Sequence, residues 1–225
     1  MAARKHSLST RQRIIKAGIS LYLEKGFANA TNKMVAAEAG VGAGSLNNCF
    51  RTKEDLLLVV AEHLAENQRS SVRQRFPDYS PLMCFCLEIA AELTLCENNT
   101  RAKELHVAIY TLPKTLNFMK EAYYKETMDI LGEHISDWSE QDFYETEIIT
   151  RAILFGFIME DCNARFTIDQ KIFRCLNNLL KLYNVKREER HKTIEAVLAC
   201  DLDAMAEEMM EAVMTTEPKE DILAL

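Results

Sequence analysis

Glycine and proline are scarce in this chain, at 7 and 4 of 225 residues. So few breakers exclude an architecture of many short strands and leave little room for long loops. No apolar run reaches the roughly 18 residues that would suggest a membrane span. The segment from Met1 to Arg13 is polar and basic, without the apolar stretch of a secretory signal. The 7 cysteines are odd in number and scattered. They read as reduced thiols of a cytoplasmic protein, several of them core fillers, rather than a disulfide framework. No Ser-His-Asp or Cys-His constellation stands out and no glycine-rich phosphate loop appears, so neither an enzyme nor a cofactor is expected. Cys84-x-Cys86 with distant Cys96 and His106 is not a zinc pattern, because a spacing of two puts the first two thiols on different helix faces. No metal is expected.

What is present is a core-forming share of apolar residues, 48%, in helical periodicity nearly throughout. The fold class is all-α. The net charge of -7 alone argues against nucleic acid, but its distribution reverses that. Residues 1–53 hold nine Lys and Arg against Glu24 and Glu38, a net of +7, and the remainder holds eighteen against thirty-two, a net of -14. Such asymmetry suggests a basic head on an acidic body. Attraction to phosphates acts locally, because charges more than about 8–10 Å away are screened at physiological salt.

Ser9 with Gln12 three residues on forms a capping-box pattern. A helix then runs to about Lys25, with Ile14, Ala17, Gly18, Leu21 and Tyr22 on one face. Gly26 supplies a C-terminal stop. Thr31 is an N-cap for a second helix to about Ala39, Gly40 serves a turn, and a third helix covers roughly Ala43–Cys49 with Leu46 and Phe50 inward. Thr52 caps a fourth helix that Phe76-Pro77 ends. Two short helices around a glycine turn form a helix-turn-helix, a shape that lays its second helix in the major groove of DNA. Beyond Tyr79 the periodicity predicts helices at about 80–97, 100–110, 113–136, 139–166, 169–183 and 187–215, and a loosely ordered tail over 216–225.

Gly26-Phe27, Thr31, Val35-Ala36, Ala39-Gly40-Val41, Gly44-Ser45-Leu46, Phe50, Lys53-Glu54 and Leu56-Leu57 together resemble the TetR family of bacterial transcription regulators. The resemblance runs without gaps from about Arg11 to Leu57; the remaining three quarters agrees only in length and helical character. It implies a three-helix DNA-binding head over 1–55. A connecting helix joins the head to a helical ligand-binding and dimerisation domain over 56–225. It further implies a homodimeric repressor on a palindromic operator in double-stranded DNA, released by a small-molecule effector that binds the two states unequally.

The reader helix departs from the family at Asn47, where a tyrosine is usual, and at Cys49, where a histidine or tyrosine is usual. Asn47 and Asn48 either read base edges, adenine best, or are merely solvated. Ser45 reaches a base or a phosphate, and Ala43 and Gly44 allow close backbone approach. Thr31, Lys33, Thr52 and Lys53 are expected on phosphates, Lys53 where the family keeps a phosphate-binding lysine. Cys49 is either a redox-sensitive thiol or, by the usual behaviour of free cysteine, a half-buried packing residue.

In the body, Cys84, Phe85, Glu88, His106, Tyr110, Phe118 and Tyr123 either line an apolar pocket with a few polar handles or are ordinary core. Ile148 to Met159 is apolar nearly all round and so is expected to be buried. The stripe Ile194, Leu198, Leu202, Met205, Met209, Val213 is expected in a dimer interface built from the last two long helices, as the family implies; internal core is the alternative. Two rival functions stay open: a family member with weakened DNA binding that acts through protein contacts, and a helical small-molecule-binding protein.

Overall fold

Side-chain caps set the start of three of the chain's first four helices. In the computed structural model, which describes residues 8–135 and 137–219, α1 spans Thr10–Lys25, α2 Asn32–Glu38, α3 Ala43–Cys49 and α4 Lys53–Arg75. The Ser9 hydroxyl accepts from Gln12 N and the Gln12 side chain accepts from Ser9 N at 2.9 Å. Thr31 accepts from Met34 N. Thr52 and Asp55 form a second reciprocal box. Caps of this kind are each worth roughly 0.5–2 kcal/mol, which matters for α2, a helix of only 7 residues. Gly26 ends α1 at φ 84°, a left-handed backbone, and the Arg101–Glu104 pair of a body helix lies where its Cβ would be. A side chain there would both strain the turn and push the head off the body.

Seven further helices complete the described part: α5 Pro81–Asn98, α6 Thr100–Thr111, α7 Pro113–Leu131, α8 Glu140–Met159, α9 Ile168–Leu182, α10 Arg187–Leu198 and α11 Leu202–Thr215. Pro81 and Pro113 occupy first-turn positions, where a missing N–H costs nothing. α5 is the central element, buried along most of its length and packed by α4, α6, α9, α10 and α11. α7 and α8 lie side by side, and α1 rests on α4, α6 and α11.

Three expected helices end early. The 113–136 helix stops at Leu131 and tightens into a 3-10 turn at Gly132–His134. The 139–166 helix stops at Met159, because Glu160 turns extended and residues 163 and 166 pair in a tight bridge. The buried Lys171 ammonium holds that turn, bonded to the Glu160 carbonyl and, at 2.5 Å, to Glu97. The 187–215 helix breaks at Ala199, and Asp201 caps a new one by accepting from Ala204 N at 3.0 Å.

Two burial expectations are corrected. α8 is not buried all round: Ile148, Ile149 and Met159 are each about half exposed, while Thr150, Leu154 and Ile158 face inward. Conversely, the α10–α11 stripe is internal: Met205, Met209 and Val213 are buried where α11 packs on α4 and α5, and Ile194 is buried where α10 packs on α5 and α9. Apolarity alone does not say which of two apolar faces meets the rest of the chain. The tail is also tied down as far as it is described. Pro218 is buried and its carbonyl accepts from Gln12 of α1 at 2.7 Å. Lys219 bonds Glu66 at 2.6 Å. The rest of the expected loose tail, 220–225, lies outside the described residues. No helix among the described residues is long and apolar enough to cross a membrane.

Candidate functional site

The head is an apolar wedge with a polar edge. Leu46 and Phe50 anchor α3, nearly fully buried against α1 and α2, a burial worth roughly 1.5–3 kcal/mol per side chain. Fixing that face turns the other outward. Gly42, Ala43, Gly44, Ser45, Asn47 and Asn48 are all exposed. The Asn47 and Asn48 side chains make no hydrogen bond within the described residues, so both amides are available for an outside partner. Thr31 and Lys33 are exposed at the start of α2, and Thr52 at the start of α4. Each threonine accepts from its own helix, which leaves its hydroxyl proton to donate. Arg51, not singled out from the sequence, is exposed beside them.

Lys53 is placed differently from the expectation. Its ammonium turns inward onto the Phe27 carbonyl and lies 3.5 Å from the Ala28 carbonyl, over the Phe27 ring at 4.2 Å. Burial lowers its pKa. Here Lys53 clamps the connection between α1 and α2, and its backbone N–H at the α4 terminus is what remains for a phosphate. Cys49 is half-buried against the core, the packing role rather than an open thiol.

In the body, α4, α5, α6, α7 and α8 enclose a cavity of about 90 Å³. Phe85, Glu88, His106, Tyr110, Phe118 and Tyr123 all line it. Cys84 does not. It faces a separate outer cleft of about 250 Å³, because residue 84 sits at the outer edge of the α5 face, beyond Glu88, which borders both spaces. The sequence reading missed Arg69, Glu92, Glu126 and Arg151, all in the lining. Continuing the inner face of α4 through Ala61, Ala65 and Gln68 would have reached Arg69. Arg151 gave no such signal, since it interrupts an apolar run.

These polar groups are mostly paired with one another. The Arg151 guanidinium is bonded to Glu147, lies 3.4 Å from the Tyr110 hydroxyl and stacks 4.7 Å from the Tyr123 ring. Burial opposes its charge, but Glu147 and the two phenols hold it protonated. Arg69 lies 3.4 Å from Glu126 and 3.6 Å from Glu62. Tyr110 donates to Glu92 at 3.1 Å. His106 Nδ1 lies 2.8 Å from the Ala102 carbonyl, which fixes it as the donor, and Nε2 faces Glu92 at 3.8 Å. Burial works against a charged His106, yet Cys96 and Glu92 bring its pKa up to about 10. Glu88 is the exception. No hydrogen bond reaches its carboxylate among the described residues, and burial pushes it up to about 7.

Cavity and head are physically joined. α7, which carries Phe118 and Tyr123, has Lys114 in its first turn, whose backbone N–H donates to Glu54 at 2.6 Å and whose ammonium bonds Asp55 at 2.5 Å. Those two acids belong to the first turn of α4, directly after Thr52 and Lys53.

An exposed α3 on a small three-helix head, set on an all-helical body with an internal cavity, is the arrangement of a helix-turn-helix protein. Residues 14–60 match the family described as "Bacterial regulatory proteins, tetR family". That match covers most of the three-helix head and the first two turns of α4. The chain is 29% identical to an uncharacterized HTH-type transcriptional regulator, YerO of Bacillus subtilis (strain 168), over 53% of this chain and 42% of that protein. The match thus spans less than half the length of that relative. Thermus thermophilus FadR, a TetR-family repressor solved with lauroyl-CoA, superposes at a TM-score of 0.55 with 18% identity, over 79% of this chain and 96% of that one. RolR solved with resorcinol gives 0.55 and 18%, over 93% and 95%. At that identity the structural likeness speaks for the fold.

Proposed function

We propose that this chain is a ligand-responsive homodimeric repressor acting in the cytoplasm. Its head, divided from the body near residue 55, reads a palindromic operator. The observation that carries the reading is the bare polar face of α3: six exposed positions, none with a side chain bonded among the described residues, on a helix held by Leu46 and Phe50. In this reading Ser45, Asn47 and Asn48 meet bases, Ala43 and Gly44 let the backbone approach, and Thr31, Lys33 and Thr52 hold phosphates. Lys53 contributes through its backbone N–H. The exposed apolar stripe of α8, with Ile148, Ile149 and Met159, supports a dimer contact there in place of the internal α11 stripe. The body cavity is assigned to a small-molecule effector, which bears on the head through α7 and its Lys114 contacts. That both structural neighbours were solved with a small molecule supports this assignment.

The test is selection from random-sequence duplex DNA by the full chain at moderate salt. Enrichment of a two-fold symmetric site is the expected result. Failure to enrich any sequence would favour the rival in which the head has lost operator binding and acts through protein contacts.

A further inference from the structure

The cavity of about 90 Å³ holds roughly six to nine waters' worth of space, the room needed by one aromatic ring with a short chain. Its polar lining can be audited charge by charge. Arg151 is matched by Glu147. Arg69 is matched by Glu126 and Glu62. Glu92 accepts from Tyr110 and faces His106. Glu88 is the lining carboxylate left over: it receives no hydrogen bond among the described residues, Glu126 and Glu92 add negative potential beside it, and the nearby Arg69 and Arg73 are both already turned to Glu126. A largely buried carboxylate without a donor is costly unless something arrives to pair it. Glu88 also has a particular position. It and Phe85 line both the cavity and the outer cleft, so the two residues form the partition between them. The cleft is flanked by Phe76 and Tyr79, stacked at 4.7 Å, and by Arg73, whose guanidinium is turned to Glu126 at 3.7 Å. An incoming molecule therefore passes aromatic faces and then the unpaired carboxylate, a sequence that favours a cation over an anion.

We infer that the effector is a small aromatic amine, bound as its ammonium ion with the nitrogen on Glu88 and the ring between Phe85 and Phe118. This rests on the cavity being the effector site, and it adds the ligand's charge and size. The wall arginines do not select an anion, because their own carboxylates already occupy them.

The experiment is isothermal titration calorimetry on the full chain at pH 8 with 2-phenylethylamine, 2-phenylethanol and phenylacetate. These three probes share a ring and differ in charge. The expected result is an affinity for the amine at least tenfold above that for the alcohol, with phenylacetate weakest. Glu88→Gln should bring the amine to within about threefold of the alcohol, with the variant's thermal unfolding showing separately that it is folded. Equal binding of amine and alcohol, or preference for phenylacetate, overturns the inference. If the alcohol binds and Ala65→Trp, which fills the cavity, abolishes it, but the amine is no better, the cavity reading stands and the charge selection falls. If none of the three binds, both fall.

Discussion

The head and the body treat polar side chains in opposite ways. On α3 the polar residues point outward and none is paired among the described residues, whereas around the cavity nearly every charge is matched by another side chain. An exposed amide costs the fold nothing and waits for a partner. A buried charge must be satisfied internally or it destabilises the fold. The head's polar face is thus free to vary with the partner it meets, while the body's network is a structural commitment that leaves the Glu88 carboxylate out.

Substitutions can sharpen or break that contrast. The largest effect is expected at Arg151→Ala, which leaves the fully buried Glu147 without its cation and should cost about 3–5 kcal/mol. Thermal unfolding measures it, and the double replacement Glu147→Gln with Arg151→Met should recover much of the loss. A small effect of the single change would mean that the network is not a structural commitment. Leu46→Ala should cost about 2–5 kcal/mol by opening a cavity under the reader helix, read as a loss of head helicity and of DNA binding while the body stays folded. Asn48→Ala should leave the melting temperature unchanged and remove about 1–3 kcal/mol of discrimination at one base position, measured by competition between operator variants. Unchanged discrimination would place Asn48 among merely solvated residues.

Glu88→Gln has the smallest effect, and its sign depends on pH. The folded-state pKa of about 7 lies above the ordinary 4.5, so the folded protein binds this proton more tightly than the unfolded chain. Stability from this group is therefore present at low pH and is lost as pH rises through about 7. The variant should melt higher than the parent at pH 8, by roughly 2–4 °C for each kcal/mol removed, and the gain should shrink toward pH 5. A gain that does not change with pH would mean that the carboxylate is paired after all.

Much of the head was legible in the sequence because its signals are local. Ser9 with Gln12, Gly26, Thr31 and Thr52 each act within one helical turn, and every predicted head helix is present within a residue of its expected end. Lys53 is the exception: its inward turn depends on the Phe27 carbonyl, 26 residues away. In the body, six of the seven expected pocket residues do share one cavity. Arg69, Glu92, Glu126 and Arg151 were missed, since charged residues read as solvated faces until their partners on other helices are known. The break at Ala199–Asp201 was missed as well, for the aspartate that caps α11 carries no glycine or proline to announce it.

Helix content, the helix-turn-helix frame, its buried anchors and its outward polar face follow from the sequence by itself, because capping and 3.6-residue periodicity are properties of neighbouring residues. Only the tertiary structure decided which apolar stripe is core and which is open, where Lys53 spends its charge, and which carboxylate stays unpaired. These depend on what the rest of the chain brings alongside: α4 and α5 cover α11, α8 keeps one apolar face uncovered, and five helices meet around Glu88 without supplying it a donor.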